Sequence, residues 1–472
     1  MEHDYVIVGC GPCAMALCLM LGNTNQRVLV LEADEDIGGC WKTSFLGNYY
    51  TEHAPKVMFD YLYFNQMLMY LGIDPSSEYS SVYGSRIETL TKFMKFITTN
   101  MGFSDITSLI KGYISYLTGT LDEHESFEDW MRRNELTPLG YKALEILSIA
   151  AANIPSKVSA SVFFGSLATD VSIIKQLRQP TKWIETFKAR TAHYPNITFK
   201  CNENVVELVG DSQRIHKVVS INTKTHVITS FRAEQVVLCT PLQNVSKILR
   251  NSEPQVRNNW MPYEAFNSYC EDSSYTGIGF QFHFDYTLAS AGIWCWSCKN
   301  DWSLIVLDIS KYRDHISHDP TIKTVWSGCI IDLDSPSSAL GMTAHQCTDK
   351  ESLLAEVLRQ LRDELGHDLA PKAVTLHPGV TRSNGKWITA NYSFSSIRGP
   401  LPNHGKLHNL YSLGPHTINE IANMETAVKS AVMFGNEHHL NTIFHKQSGN
   451  VYLMIIILIL LYVLNKWTKT FF

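Results

Sequence analysis

The sequence has no run of lysine or arginine and carries a formal net charge of −5, so it lacks the basic footprint of a nucleic-acid binder. Charge of either sign is scarce: Asp, Glu, Lys and Arg make up 18% of 472 residues, against about 25% in ordinary soluble domains. With 45% apolar residues, that excludes a disordered chain and a solvated coiled coil. There are no internal repeats and no low-complexity tracts. Eleven cysteines occur without a repeated spacing, which argues against a disulfide framework and for a reducing compartment. The start of the chain lacks the basic residues and unbroken apolar stretch of a signal peptide.

Long hydrophobic runs are missing too, with one exception. Val451 to Leu464 is unbroken apolar sequence, followed by Lys466, Trp467 and Lys469. With its flanks it offers about 19 residues, or about 28 Å of helix. Tyr452, Tyr462 and Trp467 suit the membrane interface, and the lysines can snorkel. The expectation is a transmembrane helix over 449–468, a single C-terminal anchor holding the main domain in the cytosol.

The first forty residues carry the chemistry. Tyr5 to Val8 reads as a buried strand, Ala14 to Leu21 as a helix, and Arg27 to Leu31 as a second strand ending on Glu32. Between strand and helix lies Gly9-Cys10-Gly11-Pro12-Cys13-Ala14. Strand, glycine turn, helix, strand and acid make the dinucleotide-binding unit. Gly9 permits the tight turn, Gly11 lets a pyrophosphate approach the backbone, and Ala14 keeps helix and strand close. The helix start at Pro12 offers N–H groups to phosphates, and Glu32 accepts from ribose hydroxyls. Ala33 follows the acid, and then Gly38-Gly39 and Trp41 allow a further close approach to a bound cofactor. A second Gly-x-Gly-x-x-Gly is lacking: Gly277-Ile278-Gly279 runs into the alternation Phe280 to Phe284, a strand, so NADPH binding is unsupported.

Acid, short spacer and Gly-Gly resemble the extended FAD fingerprint of the flavin amine oxidase superfamily, which includes protoporphyrinogen oxidases, carotenoid desaturases and UDP-galactopyranose mutases. Gly-Gly-x-Trp also resembles flavin monooxygenases. Two later segments favour the amine oxidase group. Cys201 to Val209 and Arg232 to Leu242 look like its edge strand and return strand, which implies that Val205 or Val206 touches the adenine. Asn409 to Gly414, a loop, and then Ile421 to Ala431 resemble its last FAD motif. That implies a Gly414 turn at the cofactor and a helix whose Met424 and Glu425 backbone holds the flavin. His53 lies where the family's chain passes under the flavin and is a candidate for contact with cofactor or substrate; catalytic residues are otherwise unassigned.

The departures are specific. Pro415-His416 stands where the family has Asp after the glycine. Asn423 replaces an aromatic cage residue of monoamine oxidases. Residues Gly385 to Ser393 hold no Cys, so FAD is expected to be non-covalent, and Tyr275 to Phe284 hold no Lys. Cys295 and Cys298 read as packed thiols, and no metal site is expected.

The resemblance implies an α/β protein with a discontinuous Rossmann-type FAD-binding domain (1–60, 200–250, 375–445) and an inserted α+β substrate domain (61–199, 251–374). Phe127 to Ala151 and Glu351 to Leu365 are expected to be helices, and Ser303 to Ile309 a strand. The activity implied is hydride transfer from a C–N or C–C bond of a small-molecule or lipid-like substrate to flavin, with O₂ as a candidate acceptor. The alternatives are a desaturase or isomerase acting on a membrane-borne substrate, and a catalytically silent FAD-binding scaffold.

Overall fold

The computed structural model describes residues 2–59, 61–82, 86–150, 153–168, 175–288, 296–297, 300–389 and 393–445. Strand β1 (Glu2–Val8) runs through the glycine turn into helix α1 (Pro12–Leu21) and then strand β2 (Val28–Leu31). These three elements match the expected unit to within a few residues at each end.

The main sheet has the order Ile197–Lys200, β2, β1, Ile228–Leu238, Ile215–Asn222, Glu203–Gly210, with Leu410–Ser412 beside Ile228–Leu238. The first four strands and Leu410–Ser412 run parallel. Parallel strands are covered on both faces, and the residues show it. Ile7, Val30 and Val237 enter a core shared with α1 and the last described helix, Met424–Glu437. Val6, Leu29 and Val236 enter a second core shared with the helix Leu242–Asn251. All ten residues of α1 are buried, as expected for a helix with no polar face.

The expected edge strand and return strand are present as Glu203–Gly210 at the sheet edge and Ile228–Leu238 beside β1, but they are not neighbours. Glu203–Gly210 pairs instead with Ile215–Asn222, and that strand pairs with Ile228–Leu238, giving a three-stranded antiparallel meander. Phe127 to Ala151 is likewise not one helix. Phe127–Arg133 and Pro138–Ala150 are separate, because Pro138 cannot continue a helix and Glu135 takes a positive φ of 49°.

A five-stranded antiparallel sheet has the order Trp296–Ser297, Leu304–Asp308, Thr324–Ile330, Ile278–Phe284, Ala373–Leu376. Gly277-Ile278-Gly279 therefore opens a strand. The helix Lys350–Leu365 covers one face through Leu353, Leu354, Val357 and Leu361. The strand Tyr49–Glu52 lies over the other face, where Gln281 Nε2 donates to the Glu52 carbonyl at 2.8 Å and Thr375 Oγ1 to that of Tyr50 at 3.3 Å. Contact is so close that a Cβ on Gly279 would lie 1.7 Å from the His53 carbonyl oxygen.

No helix among the described residues is long and apolar enough to cross a membrane. Val451–Leu464 lies outside the described residues, as do Cys295 and Cys298.

Candidate functional site

The ends of three parallel strands meet at one edge: Val8 pairs with Leu238, and Leu238 with Ser412. In an open α/β sheet the carboxyl edge is where ligands bind. Gly9 follows Val8 with φ +86°, and a Cβ there would meet the Cys239 carbonyl oxygen at 2.8 Å. Gly11 caps α1 in an extended conformation, with Pro12 in the first turn and no side-chain cap. A Cβ on Gly11 would meet nothing within 4 Å. The space beside Gly11 is thus empty at a helix start without a side-chain cap, and uncapped helix starts carry N–H groups with no partner inside the helix. Ala14 is fully buried.

The second glycine pair lies against the first. Gly38 N–H donates to the Cys10 carbonyl at 2.8 Å, and a Cβ on Gly39 (φ +57°) would come within 3.3 Å of Gly11 Cα. Trp41 packs edge-on to Trp183 and tilted against Phe64. Glu32 ties the turn to the end of β2: its carboxylate accepts from Cys10 N–H at 2.8 Å and Asp34 N–H at 3.0 Å. Burial raises its pKa, against the pull of those two hydrogen bonds. A carboxylate has about four acceptor positions, so the two N–H groups leave room for hydroxyl donors. Ala33, beside it, takes a hydrogen bond from Thr223 on its carbonyl.

The Glu203 N–H donates to the Glu32 carbonyl at 2.8 Å, which brings Val205 and Val206 beside the acid. Val205 is buried. Val206 sits at a bulge, since Glu207 pairs with Val219 and Val205 with Ser220. Its carbonyl accepts from Asn251 Nδ2 at 3.0 Å.

Gly414 joins the same edge through Leu413 N–H, which donates to the Leu238 carbonyl at 2.8 Å. The Gly414 N–H donates to Ser430 Oγ at 3.0 Å. His416 turns inward and pairs with Ser412 Oγ at 2.8 Å. Burial pulls its pKa down to about 3, so the ring is neutral. Asn423 caps the Met424–Glu437 helix by accepting from Thr426 N–H, while Thr426 Oγ1 accepts from Asn423 N–H. Met424 is buried. The Glu425 carboxylate accepts from Tyr63 N–H at 2.8 Å and Phe64 N–H at 2.9 Å, capping the helix α2 (Leu62–Tyr70).

His53 lies beside a group that the sequence did not disclose. Its ring stands edge-on to His377 at 5.5 Å, its Nδ1 is buried without a partner, and burial pulls its pKa to about 3. Lys56, also buried, donates to the Cys40 carbonyl at 3.0 Å and stands 5.2 Å from the Trp41 ring. Lys56 Nζ is 3.9 Å from Glu52, which also binds the fully buried Arg313 at 3.3 Å and Tyr50 at 2.8 Å. Arg313 in turn donates to Gln176 at 3.2 Å. Buried polar groups thus run from the glycine turns to the five-stranded sheet. No local pattern flags Arg313, because Glu52 is 261 residues away. Among the described residues no group of three or more His, Cys, Asp or Glu side chains could hold a metal ion.

The family model described as an NAD(P)-binding Rossmann-like domain matches residues 7–71. By sequence, no curated protein matches the chain. Solved structures do. Wild-type putrescine oxidase bound to putrescine superposes with a TM-score of 0.62 at 14% identity, covering 93% of this chain and 100% of that one. Cyclohexylamine oxidase from Brevibacterium oxydans gives 0.56 at 13%, covering 93% and 100%. A putative protoporphyrinogen oxidase from Exiguobacterium gives 0.54 at 14%, covering 92% and 98%. The chain shares the fold of these proteins.

Proposed function

We propose that this chain is a FAD-dependent oxidoreductase of the amine oxidase-like type, with FAD held non-covalently. The observation that carries the reading is the open space at Gly11, bounded by the uncapped start of α1 and the second glycine pair. In it the α1 N–H groups receive the pyrophosphate, Glu32 the adenosine ribose, and the Val205–Val206 stretch the adenine. Gly38, Gly39 and Trp41 close over the middle of the cofactor, Gly414 lies at its edge, and the Met424–Glu425 backbone faces the flavin. FAD when bound supplies a hydride acceptor; the protein orients the substrate's C–N or C–C bond and excludes water. His53, neutral and with a free Nδ1, is the candidate for contact with cofactor or substrate.

Small primary amines are poor substrates in this reading. Asn423 is spent on capping its helix, and Lys56, a cation 5.2 Å from the Trp41 ring, repels an ammonium group. The main domain is cytosolic, and Val451–Leu464 anchors it to a membrane. The apolar run also favours a second reading, a desaturase or isomerase on a lipid-like substrate.

The test is the purified full chain in detergent. A flavin spectrum is expected, with the yellow colour released on acid precipitation; colour in the pellet overturns the non-covalent claim. Bleaching on photoreduction with recovery in air supports an oxidase. Recovery only with an added acceptor such as a quinone supports a dehydrogenase. Flavin that does not bleach indicates a silent scaffold, and absence of flavin removes the proposal. Robust peroxide release from benzylamine overturns the substrate claim.

A further inference from the structure

The last described residues run onto α2. Gln66 Oε1 accepts from His445 N–H at 2.7 Å, and Gln66 Nε2 donates to the His445 carbonyl at 3.0 Å. One helical turn earlier, Tyr63 stands edge-on to Phe444 at 6.4 Å. Only five residues, 446–450, separate His445 from the apolar run. Fully extended, they reach about 20 Å. If Val451–Leu464 enters a bilayer, the α2 contact with His445 lies within about 20 Å of its surface.

The composition of α2 suits that position. Leu62–Tyr70 contains no charged residue. Phe64, Met67 and Leu68 are buried, Leu62, Tyr63, Asn65, Gln66 and Tyr70 are half-buried on the outer side, and Met69 alone on this helix is exposed. Met69 is 56% exposed. A single exposed apolar side chain is ordinary; a wholly uncharged outer face is not, because surface helices carry their charge there. At its far end the Arg190 guanidinium stands 4.8 Å from the Tyr70 ring, a cation placed for anionic headgroups. The nearest acids that follow, Asp74 and Glu78, lie beyond the Gly72 turn, where Asp74 caps the next helix and Glu78 pairs with Lys182.

We propose that the outer face of α2 rests on the lipid headgroup layer, with Met69 reaching toward the acyl chains. This rests on the anchor reading above. Half-buried tyrosines and a thioether are the side chains that the interface accepts.

The experiment uses the full chain in vesicles of phosphatidylcholine and phosphatidylserine, with a benzophenone amino acid replacing Met69. The control carries it at Arg250, an exposed position on the helix Leu242–Asn251, which covers the opposite face of the main sheet. Lipid adducts are expected at 69 and not at 250, in protein that resists alkaline carbonate. Carbonate-resistant protein with no adduct at 69, or equal adducts at both positions, overturns the docking and leaves the anchor standing. Protein washed off by carbonate removes the anchor reading and the docking with it. A second measurement needs no probe: Met69→Glu is expected to keep the wild-type melting temperature while raising hydrogen exchange across 62–70 in vesicles at least threefold. Unchanged exchange counts against the proposal.

Discussion

Gly9 and Gly11 stand two residues apart, and their missing side chains serve different ends. A Cβ at Gly9 meets backbone and a positive φ; one at Gly11 meets open space. Gly9→Ala should therefore destabilise the free protein by roughly 2–4 kcal/mol. Gly11→Val should cost about 1 kcal/mol or less yet abolish flavin retention. Thermal unfolding together with the visible spectrum checks both, and equal destabilisation by the two would remove the distinction. His416 offers a pH test. Its folded pKa is about 3 and its ordinary value 6.5, so the unfolded chain binds the proton first on acidification. The stability it contributes is complete above pH 6.5 and is lost as pH falls toward 3. At pH 5 the loss reaches about 2 kcal/mol. His53, near 3, and His377 and His283, both near 4, act in the same direction. Glu32 and Glu425, raised by burial, act in the opposite one. The comparison that isolates His416 is His416→Asn against the parent chain: the two melting curves should converge as pH falls from 7 to 5.

At the scale of elements, the Glu425 carboxylate joins the Met424–Glu437 helix to α2, which has no side-chain cap of its own. Glu425→Ala removes two charge-assisted acceptors and should cost roughly 2–3 kcal/mol. Glu425→Gln keeps one acceptor oxygen and should cost about half as much. Hydrogen exchange over 62–66 should rise in the same order; a rise confined to the Met424–Glu437 helix would show that the contact does not hold α2. Elements with strong local signals were legible in the sequence. Lys350–Leu365 has an apolar stripe, an Asp349 cap and a left-handed Gly366 stop, and β1, α1 and β2 have the glycine turn. Ile215–Asn222 was not legible, because its residues IHKVVSIN fit an edge, a centre or a loop until a partner is known. The break at Pro138 was in the sequence, but a strong helical pattern on either side outweighed it.

At the scale of the whole molecule, the glycine unit announced itself because all its parts lie within forty residues. The polar line through Lys56, Glu52 and Arg313 did not, because its parts come together only when Tyr49–Glu52 crosses the five-stranded sheet. A strand pattern states which face is buried and not what is buried against it. The Arg313 cation therefore looked like any surface arginine until its partners were in place.

That line makes a prediction about cooperativity. Glu52 and Arg313 are both fully buried, and Gln176 and Tyr50 complete the arginine's partners. Removing one member of a buried ion pair strands the other, at a cost of about 3–5 kcal/mol. Arg313→Met should incur the lower end of that cost, about 3 kcal/mol, because Glu52 keeps the Tyr50 hydrogen bond at 2.8 Å and the Lys56 cation at 3.9 Å, the latter beyond hydrogen-bond reach. Adding Glu52→Gln removes the stranded charge and should restore a good part of the loss. The same strand leads through His53 to Lys56, which holds the Cys40 carbonyl beside the glycine turn. A disturbance at Arg313 should therefore loosen flavin as well as the sheet. Melting followed by flavin fluorescence and by far-ultraviolet dichroism should show one coincident transition in the parent and both signals shifted together in Arg313→Met. If the sheet is weakened while flavin release keeps its original midpoint, the polar line is only local packing and the two regions unfold independently.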